Sequence, residues 1–454
     1  MPNTFIKAIV AAFILISSFG ASGQPGNAAL KKMSAAELRS DFLLLRDTME
    51  KIHPAMYRYA SKQSIDHMFD SCCASIQDSM PLINFYLLTR FAVASIGDGH
   101  ANSKLSRESV NGYMANTKIF PAMVMFIHNK AYVFCCKQDP SLNGTQLLYI
   151  NGRPLKEIVQ KLFSYISTDG RIESRKNWEI PEDFPLLLNA IYGGSEKYTV
   201  SYKTVADKTM TTTLQADTIK NFMCESPFTR PRKYLKLSYT ATNTAVLTLQ
   251  TFFDGFLEHT GENFKHFLDS AFDDIRNRKI NNLLIDVRSN QGGNDANGAF
   301  LYSYLSDKPF RYYRSLETVH DQFTEEHHSL LGMQQPKENH FDGKVFVLMN
   351  GRSFSGVAEF ASVAKSNNRA IFIGEECGGG YYGNSSGDEA MVTLPNTQIT
   401  VRIPLIKYTM AVKKIESKDG GFAVNYPVDL TIGDLIAHKD GQLNDALRIV
   451  AEDK

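Results

Sequence analysis

The sequence holds one tryptophan among 454 residues, six cysteines and a formal net charge of +1, and it has no block of basic residues. Each shortage removes a class of protein. Balanced charge without a Lys/Arg cluster leaves no electrostatic footprint for nucleic acid and little attraction to an acidic membrane surface. The cysteines lack CxxC or Cys/His spacing, so no zinc site is indicated. Cys72-Cys73 and Cys135-Cys136 are adjacent pairs. Neighbours point apart in regular structure, so neither pair bridges internally, and both read as small core residues. The even count keeps disulfides open for a chain in an oxidising compartment. Long apolar runs are absent beyond the N-terminus, and no later segment suits a membrane span of about 20 residues. What is present is ordinary: 43% hydrophobic and 21% charged residues exclude a largely disordered chain.

The first residues carry Lys7, an apolar stretch from Ala8 to Phe19, and small residues at Ala21-Ser22-Gly23, the pattern of a cleaved signal peptide over 1–23. No cysteine near that point supports a lipid anchor. An extracytoplasmic location, periplasmic or secreted, is the expectation. The remaining length suits two or three domains at about 100–200 residues each.

Residues 24–115 read as helical. Ser34 and Glu37 form a capping box, and Leu38, Phe42, Leu45, Met49 and Ile52 make one apolar stripe that stops at His53-Pro54. Further helices are predicted over 62–78 and 81–95. His53, at a helix end before proline, reads as a cap. Residues 116–235 read as β-rich. Within them 144–162 gives a strand, an Asn-Gly turn and a helix from Leu155, while Trp178 falls in a connecting segment. From 236 onward strands alternate with helices: 243–252, a helix over 262–279, then Leu283 to Val287, a β–α–β unit that implies parallel pairing. Residues 391–395 and 398–405 form a hairpin closed by Pro395-Asn396-Thr397.

The chemistry concentrates in two segments. Val345 to Gly351 is a buried strand, and the residues after Val357 recur at helical spacing, which sets Ser355 at a helix N-terminus. Free N–H groups and the positive end of the helix dipole there favour a developing oxyanion. A helix cap is the other role open to this serine. Upstream, Leu283 to Val287 runs into Gly292-Gly293, where a backbone without Cβ lets a substrate approach.

This order, strand–DxRxNxGG, strand–SxSxxxE–helix, then the glycines 378–380, resembles the C-terminal processing (tail-specific) serine peptidases and their relatives, the tricorn core protease and the interphotoreceptor retinoid-binding protein. The segment 96–105, IGDGHANSKL, is similar to the upstream histidine motif of that family. The resemblance implies Ser355 as nucleophile, with Gly293 and Gly356 as oxyanion donors. The tail-specific branch uses a lysine from a short glycine turn, and Gly380 stands in its place here. The tricorn-like branch uses a histidine, matched by His100, whose unperturbed pKa of about 6.5 suits a general base. That branch orients the histidine with an adjacent serine and a C-terminal glutamate. Gly99 replaces the serine, Glu416 is the candidate glutamate, and Asp98 is the local alternative. Lys407, Lys413 and Lys414 are fallback bases.

The fold implied is α/β: a crotonase/ClpP-like spiral catalytic domain over 236–454, preceded by the helical domain and by a middle region similar to a degenerate PDZ module. The function implied is a serine peptidase acting on peptides or proteins, with no metal or organic cofactor. The same fold also serves a retinoid carrier, so a non-catalytic binder of peptide or apolar ligand is the alternative, and ester hydrolysis is a third.

Overall fold

The computed structural model describes residue 29 and residues 31–228, 231–417 and 420–453. The signal-peptide reading of residues 1–23 lies outside them.

The helical region is built as its pattern predicts. The helix Ala35–Ile52 starts at the Ser34/Glu37 capping box, with both reciprocal bonds formed, and buries Leu38, Phe42, Leu45 and Met49. Helices Lys62–Ala74 and Leu82–Ser95 pack beside it, and all three share one core with the hairpin residues Leu394, Ile399, Val401 and Ile403. Asp41 fixes that hairpin. Its buried carboxylate accepts from the Asn396 and Thr397 N–H groups at 3.1 and 2.8 Å and from the Thr397 hydroxyl at 2.7 Å. The hairpin, Ser385–Thr393 and Thr400–Met410, is longer than its alternating sequence suggested.

The middle region holds an antiparallel sheet with strands Met123–Ile127, Lys130–Cys135, Gln146–Ile150, Lys197–Lys203 and Thr209–Gln215 in that order. Two expectations are corrected here. Trp178 is not in a connection: it lies in the helix Glu173–Tyr192, which continues through Pro181 and Pro185. The buried residues Trp178, Ile180, Phe184, Leu187 and Leu188 outweigh the lost hydrogen bonds. Cys135 is not a free core thiol, since it forms a disulfide with Cys224, while Cys72, Cys73, Cys136 and Cys377 are free.

The third region centres on a six-stranded sheet in the order Leu235–Tyr239, Thr244–Leu249, Asn282–Asp286, Lys344–Met349, Ile371–Gly374 and Tyr426–Pro427. The first pair is antiparallel and the rest are parallel, as the β–α–β reading required. The largest apolar core lies against it, with Leu283, Ile285, Val345, Val347, Val357 and Phe360 all at 2% exposure or less.

Candidate active site

The strand Lys344–Met349 ends at a tight turn, and the helix Gly356–Ser366 begins immediately after Ser355. Ser355 has φ +55° and ψ −125°, a conformation side-chain-bearing residues rarely adopt. Such a strained strand-to-helix turn lifts a side chain clear of its own helix. The Ser355 hydroxyl makes no capping bond, which removes the helix-cap role. Instead its Oγ lies 3.1 Å from His100 Nε2, across 255 positions of sequence.

Two glycines face the same point. A Cβ on Gly292 would stand 2.7 Å from the Gly356 nitrogen and 2.8 Å from Ser355 Cβ, so only glycine permits that approach. Gly293 has φ +137°, and its missing Cβ makes room for the Phe252–Phe253 backbone. Among the described residues neither the Gly293 nor the Gly356 N–H is donated to a protein acceptor.

His100 reaches Ser355 because the strand that follows it, Asn102–Lys104, pairs antiparallel with Thr400–Arg402 of the hairpin. Its ring stacks on Phe354 with centroids 4.6 Å apart, and the same phenyl ring carries the Arg175 guanidinium at 4.1 Å. Burial pushes the imidazole down to about 4. Asp98 pulls it up, and the positive charges of Arg402, Arg175 and Arg58 add to the lowering. The ring is therefore neutral, and able to accept a proton, throughout the neutral range.

Asp98 is the charged partner of this histidine. Its Oδ1 accepts the His100 backbone N–H at 2.8 Å, and His53 Nε2 lies 3.1 Å from its Oδ2. Burial alone would raise the Asp98 carboxyl, but His53 and His100 hold it below the usual carboxylate range. The expected capping role of His53 belongs to its backbone N–H, which closes on the Met49 carbonyl, while its side chain faces Asp98. Asp169 completes the buried group, with its oxygens accepting from the Gly99 and Gly380 N–H groups at 2.9 and 3.0 Å. Burial, then the neighbouring Asp98, pushes it up to about 6. Asp98, His100 and Asp169 form the one cluster among the described residues with metal-ligating atoms within 4.8 Å of one another. Because His100 also faces Ser355, we read the two carboxylates as the acidic surroundings of its ring.

Glu416 is corrected: it is exposed, does not line the cleft, and is not among the groups that face His100. The hairpin strand ends at Met410, and Glu416 falls in the exposed part of the segment that follows it. None of the fallback lysines lies at the serine. Lys407 pairs with Glu317 at 3.2 Å, and Lys413 and Lys414 are exposed. Sequence reasoning missed Phe354, Asp169 and Arg175, since an aromatic beside a nucleophile and an Asp-Gly pair in a loop have no chemical signature of their own.

The serine and histidine open into a cleft of about 950 Å³ lined from all three regions, by Arg90, Tyr165, Arg175, Phe253, Glu359 and Tyr408 among others. That volume suits a peptide segment.

Residues 243–418 match the family model described as peptidase family S41. Among curated protein sequences none matches the chain. Among solved structures it is similar to mature CPAF, at 12% identity with 92% of this chain and 97% of that one covered and a TM-score of 0.63. It is also similar to a putative peptidase from Parabacteroides merdae, at 16% identity, 92% and 97% coverage and a TM-score of 0.50. No helix among the described residues is long and apolar enough to cross a membrane. Residues 243–418 of this chain are therefore a peptidase family S41 domain.

Proposed function

We propose that the protein hydrolyses peptide bonds with Ser355 as nucleophile, His100 as general base and then acid, and the Gly293 and Gly356 N–H groups as oxyanion donors. The observation that carries this reading is the 3.1 Å contact between His100 Nε2 and Ser355 Oγ. His100 takes the hydroxyl proton as Oγ bonds to the scissile carbonyl carbon. The carbonyl oxygen gains negative charge, which two free N–H groups at a helix N-terminus offset. The imidazolium returns its proton to the leaving amine, the C–N bond breaks, and water repeats the sequence on the acyl-enzyme. Imidazolium formation is helped by Asp98, whose charge lies beside the ring. A tricorn-like histidine base, in place of a Ser–Lys dyad, is supported by Gly380 at the lysine's position and by the distance of Lys407, Lys413 and Lys414 from the site.

An extracytoplasmic location belongs to the same proposal. The charged, apolar and small-residue order of residues 1–23 supports it, as does the Cys135–Cys224 disulfide, a bond at home in an oxidising compartment.

The test is intact-mass detection of fluorophosphonate labelling at Ser355, followed by product analysis with peptide and ester substrates. Labelling lost in both Ser355→Ala and His100→Ala supports the assignment. Undiminished labelling of His100→Ala removes histidine as the base, and ester products without peptide cleavage move the reaction to esterolysis. Fractionation and sequencing of the mature N-terminus decide the location.

A further inference from the structure

This inference rests on the Ser355–His100 reading and concerns what holds the histidine. His100 is 7% exposed, and its Nδ1 is buried without a hydrogen-bond partner. A buried imidazole nitrogen left unpaired is costly, and when the ring gains a proton at Nε2 that nitrogen must donate. A ring nitrogen of His100 and one oxygen each of Asp98 and Asp169 lie within 4.8 Å of one another, a gap that a small closure on substrate binding would bring to bonding range. Asp98 Oδ1 accepts the His100 N–H and its Oδ2 lies 3.1 Å from His53 Nε2, while each Asp169 oxygen accepts one backbone N–H and keeps a lone pair for a further donor.

Asp169 is 1% exposed and lies in the loop before the helix Glu173–Tyr192, in the middle region. It ties three parts of the chain together. Oδ1 accepts from Gly99 in the histidine segment, Oδ2 accepts from Gly380 in the glycine-rich turn, and the adjoining Gly170 N–H donates to the Gly97 carbonyl at 2.8 Å. Both glycines are needed for this grip. A Cβ on Gly99 would stand 3.1 Å from Asp169 Oδ1, and one on Gly380 would stand 2.7 Å from the Tyr59 hydroxyl and 3.5 Å from Asp169 Cβ. Gly99 and Gly380 are the two positions at which the sequence departs from the serine and lysine patterns it otherwise resembles. The absent Cβ of Gly99 leaves room for Phe354 and the Asp169 carboxylate, and that of Gly380 for the Tyr59 hydroxyl and the Gly383 carbonyl.

We propose that Asp169 is the positioning residue of the His100 base, clamping the Gly97–His100 segment onto the Ser355 turn and presenting a carboxylate to the histidine in the role that Glu416 does not fill. The clamp needs the ionised form, since a protonated oxygen accepts backbone N–H groups less well. The groups facing Asp169 are Asp98 and His100 from the upstream region, Arg58 and Tyr59 from the loop after the first helix, Arg175 from the helix Glu173–Tyr192, and Cys377 from the glycine-rich turn. With Asp169 pushed up to about 6, the clamp is complete above that pH and loosens below it.

The test is the second-order rate of fluorophosphonate labelling at Ser355 from about pH 5 to about pH 9, in the full chain and in Asp169→Asn and Glu416→Gln. The wild-type rate should rise through a limb near pH 6. Asp169→Asn should lower the plateau at least about tenfold and move the remaining limb toward lower pH, where His100 alone titrates. Glu416→Gln should follow the wild type. A wild-type plateau and limb in Asp169→Asn would overturn the proposal while leaving the Ser355–His100 reading intact. Wild type that labels no faster than His100→Ala removes both. Should Asp169→Asn lose its near-ultraviolet circular dichroism, the wild-type profile decides, because a rate flat through pH 6 overturns the clamp.

Discussion

Placing a serine at position 99, where the tricorn-like pattern has one, should damage this enzyme. A Cβ at Gly99 would stand 2.7 Å from Phe354 Cζ, 2.9 Å from its Cε2 and 3.1 Å from Asp169 Oδ1. Carbon atoms in contact prefer about 3.5–4.0 Å, so something must move by about 1 Å. The Phe354 ring is the flexible neighbour, but it is 5% exposed, stacked on His100 at 4.6 Å and covered by Arg175 at 4.1 Å. Displacing it displaces the base. Overpacking of this kind costs about 1–3 kcal/mol of stability. The larger effect is on the reaction, where a misplacement of about 1 Å costs about a hundredfold. The assay pairs thermal unfolding with the rate of fluorophosphonate labelling at Ser355, in Gly99→Ser and Gly99→Ala. Both variants should remain folded and label about a hundredfold more slowly. Wild-type labelling in Gly99→Ser would refute the reasoning, because it would show that the Phe354 ring yields without carrying His100 with it.

Asp41→Ala should destabilise the protein by about 3 kcal/mol or more, since it strands the buried N–H and hydroxyl of Thr397 and removes the bond to the Asn396 N–H, and urea unfolding that moves by less than about 1 kcal/mol would contradict this. Cys224→Ser opens a link spanning 89 positions, worth at most about 4–5 kcal/mol in chain entropy, and should lower the unfolding midpoint as reductant does for the wild type. The Cys377 thiol is fully buried, donates to the Ser353 carbonyl and is pushed up to about 12 by burial, so it should resist iodoacetamide in the native protein and react in urea. Alkylation of native Cys377 at the rate of an exposed thiol would show that the glycine-rich turn opens.

The residues whose neighbours in sequence are also their neighbours in space were the legible ones. The Ser34/Glu37 cap, the stripe of the first helix, the parallel β–α–β unit and the turn at Ser355 are each set within a few residues, and each formed as read. The pairing of His100 with Ser355 was legible by resemblance, because nothing local connects positions 255 apart. What escaped depends on tertiary partners. Trp178 was read as part of a connection, but it lies in a helix that continues through Pro181 and Pro185, where each proline lacks only one N–H and the apolar side chains around them lose far more if exposed. Cys135 sits beside Cys136 in sequence, yet only the sheet brings it to Cys224. Glu416 was chosen as the C-terminal glutamate that the resemblance implies, and the structure leaves it exposed and off the cleft.

The proposed histidine base makes this site depend on docking in a way that a lysine on the glycine-rich turn would not. With such a lysine, nucleophile and base would both belong to the 236–454 region. Here Ser355, Gly293 and Gly356 come from that region, His100 from the helical one, and Asp169 and Arg175 from the middle one. Separate ties bring them together. The three-residue strand after His100 pairs with the hairpin, Asp41 fixes the hairpin tip, Arg58 donates to the Tyr408 carbonyl, and Asp169 joins Gly99 to Gly380. Apolar burial shared by the helical region and the hairpin adds the bulk of the attraction. A movement that parts the regions by even 1 Å lengthens the Ser355–His100 contact beyond hydrogen-bond range while leaving every strand of the parallel sheet intact. On the proposed mechanism, activity should therefore be lost well before the fold is.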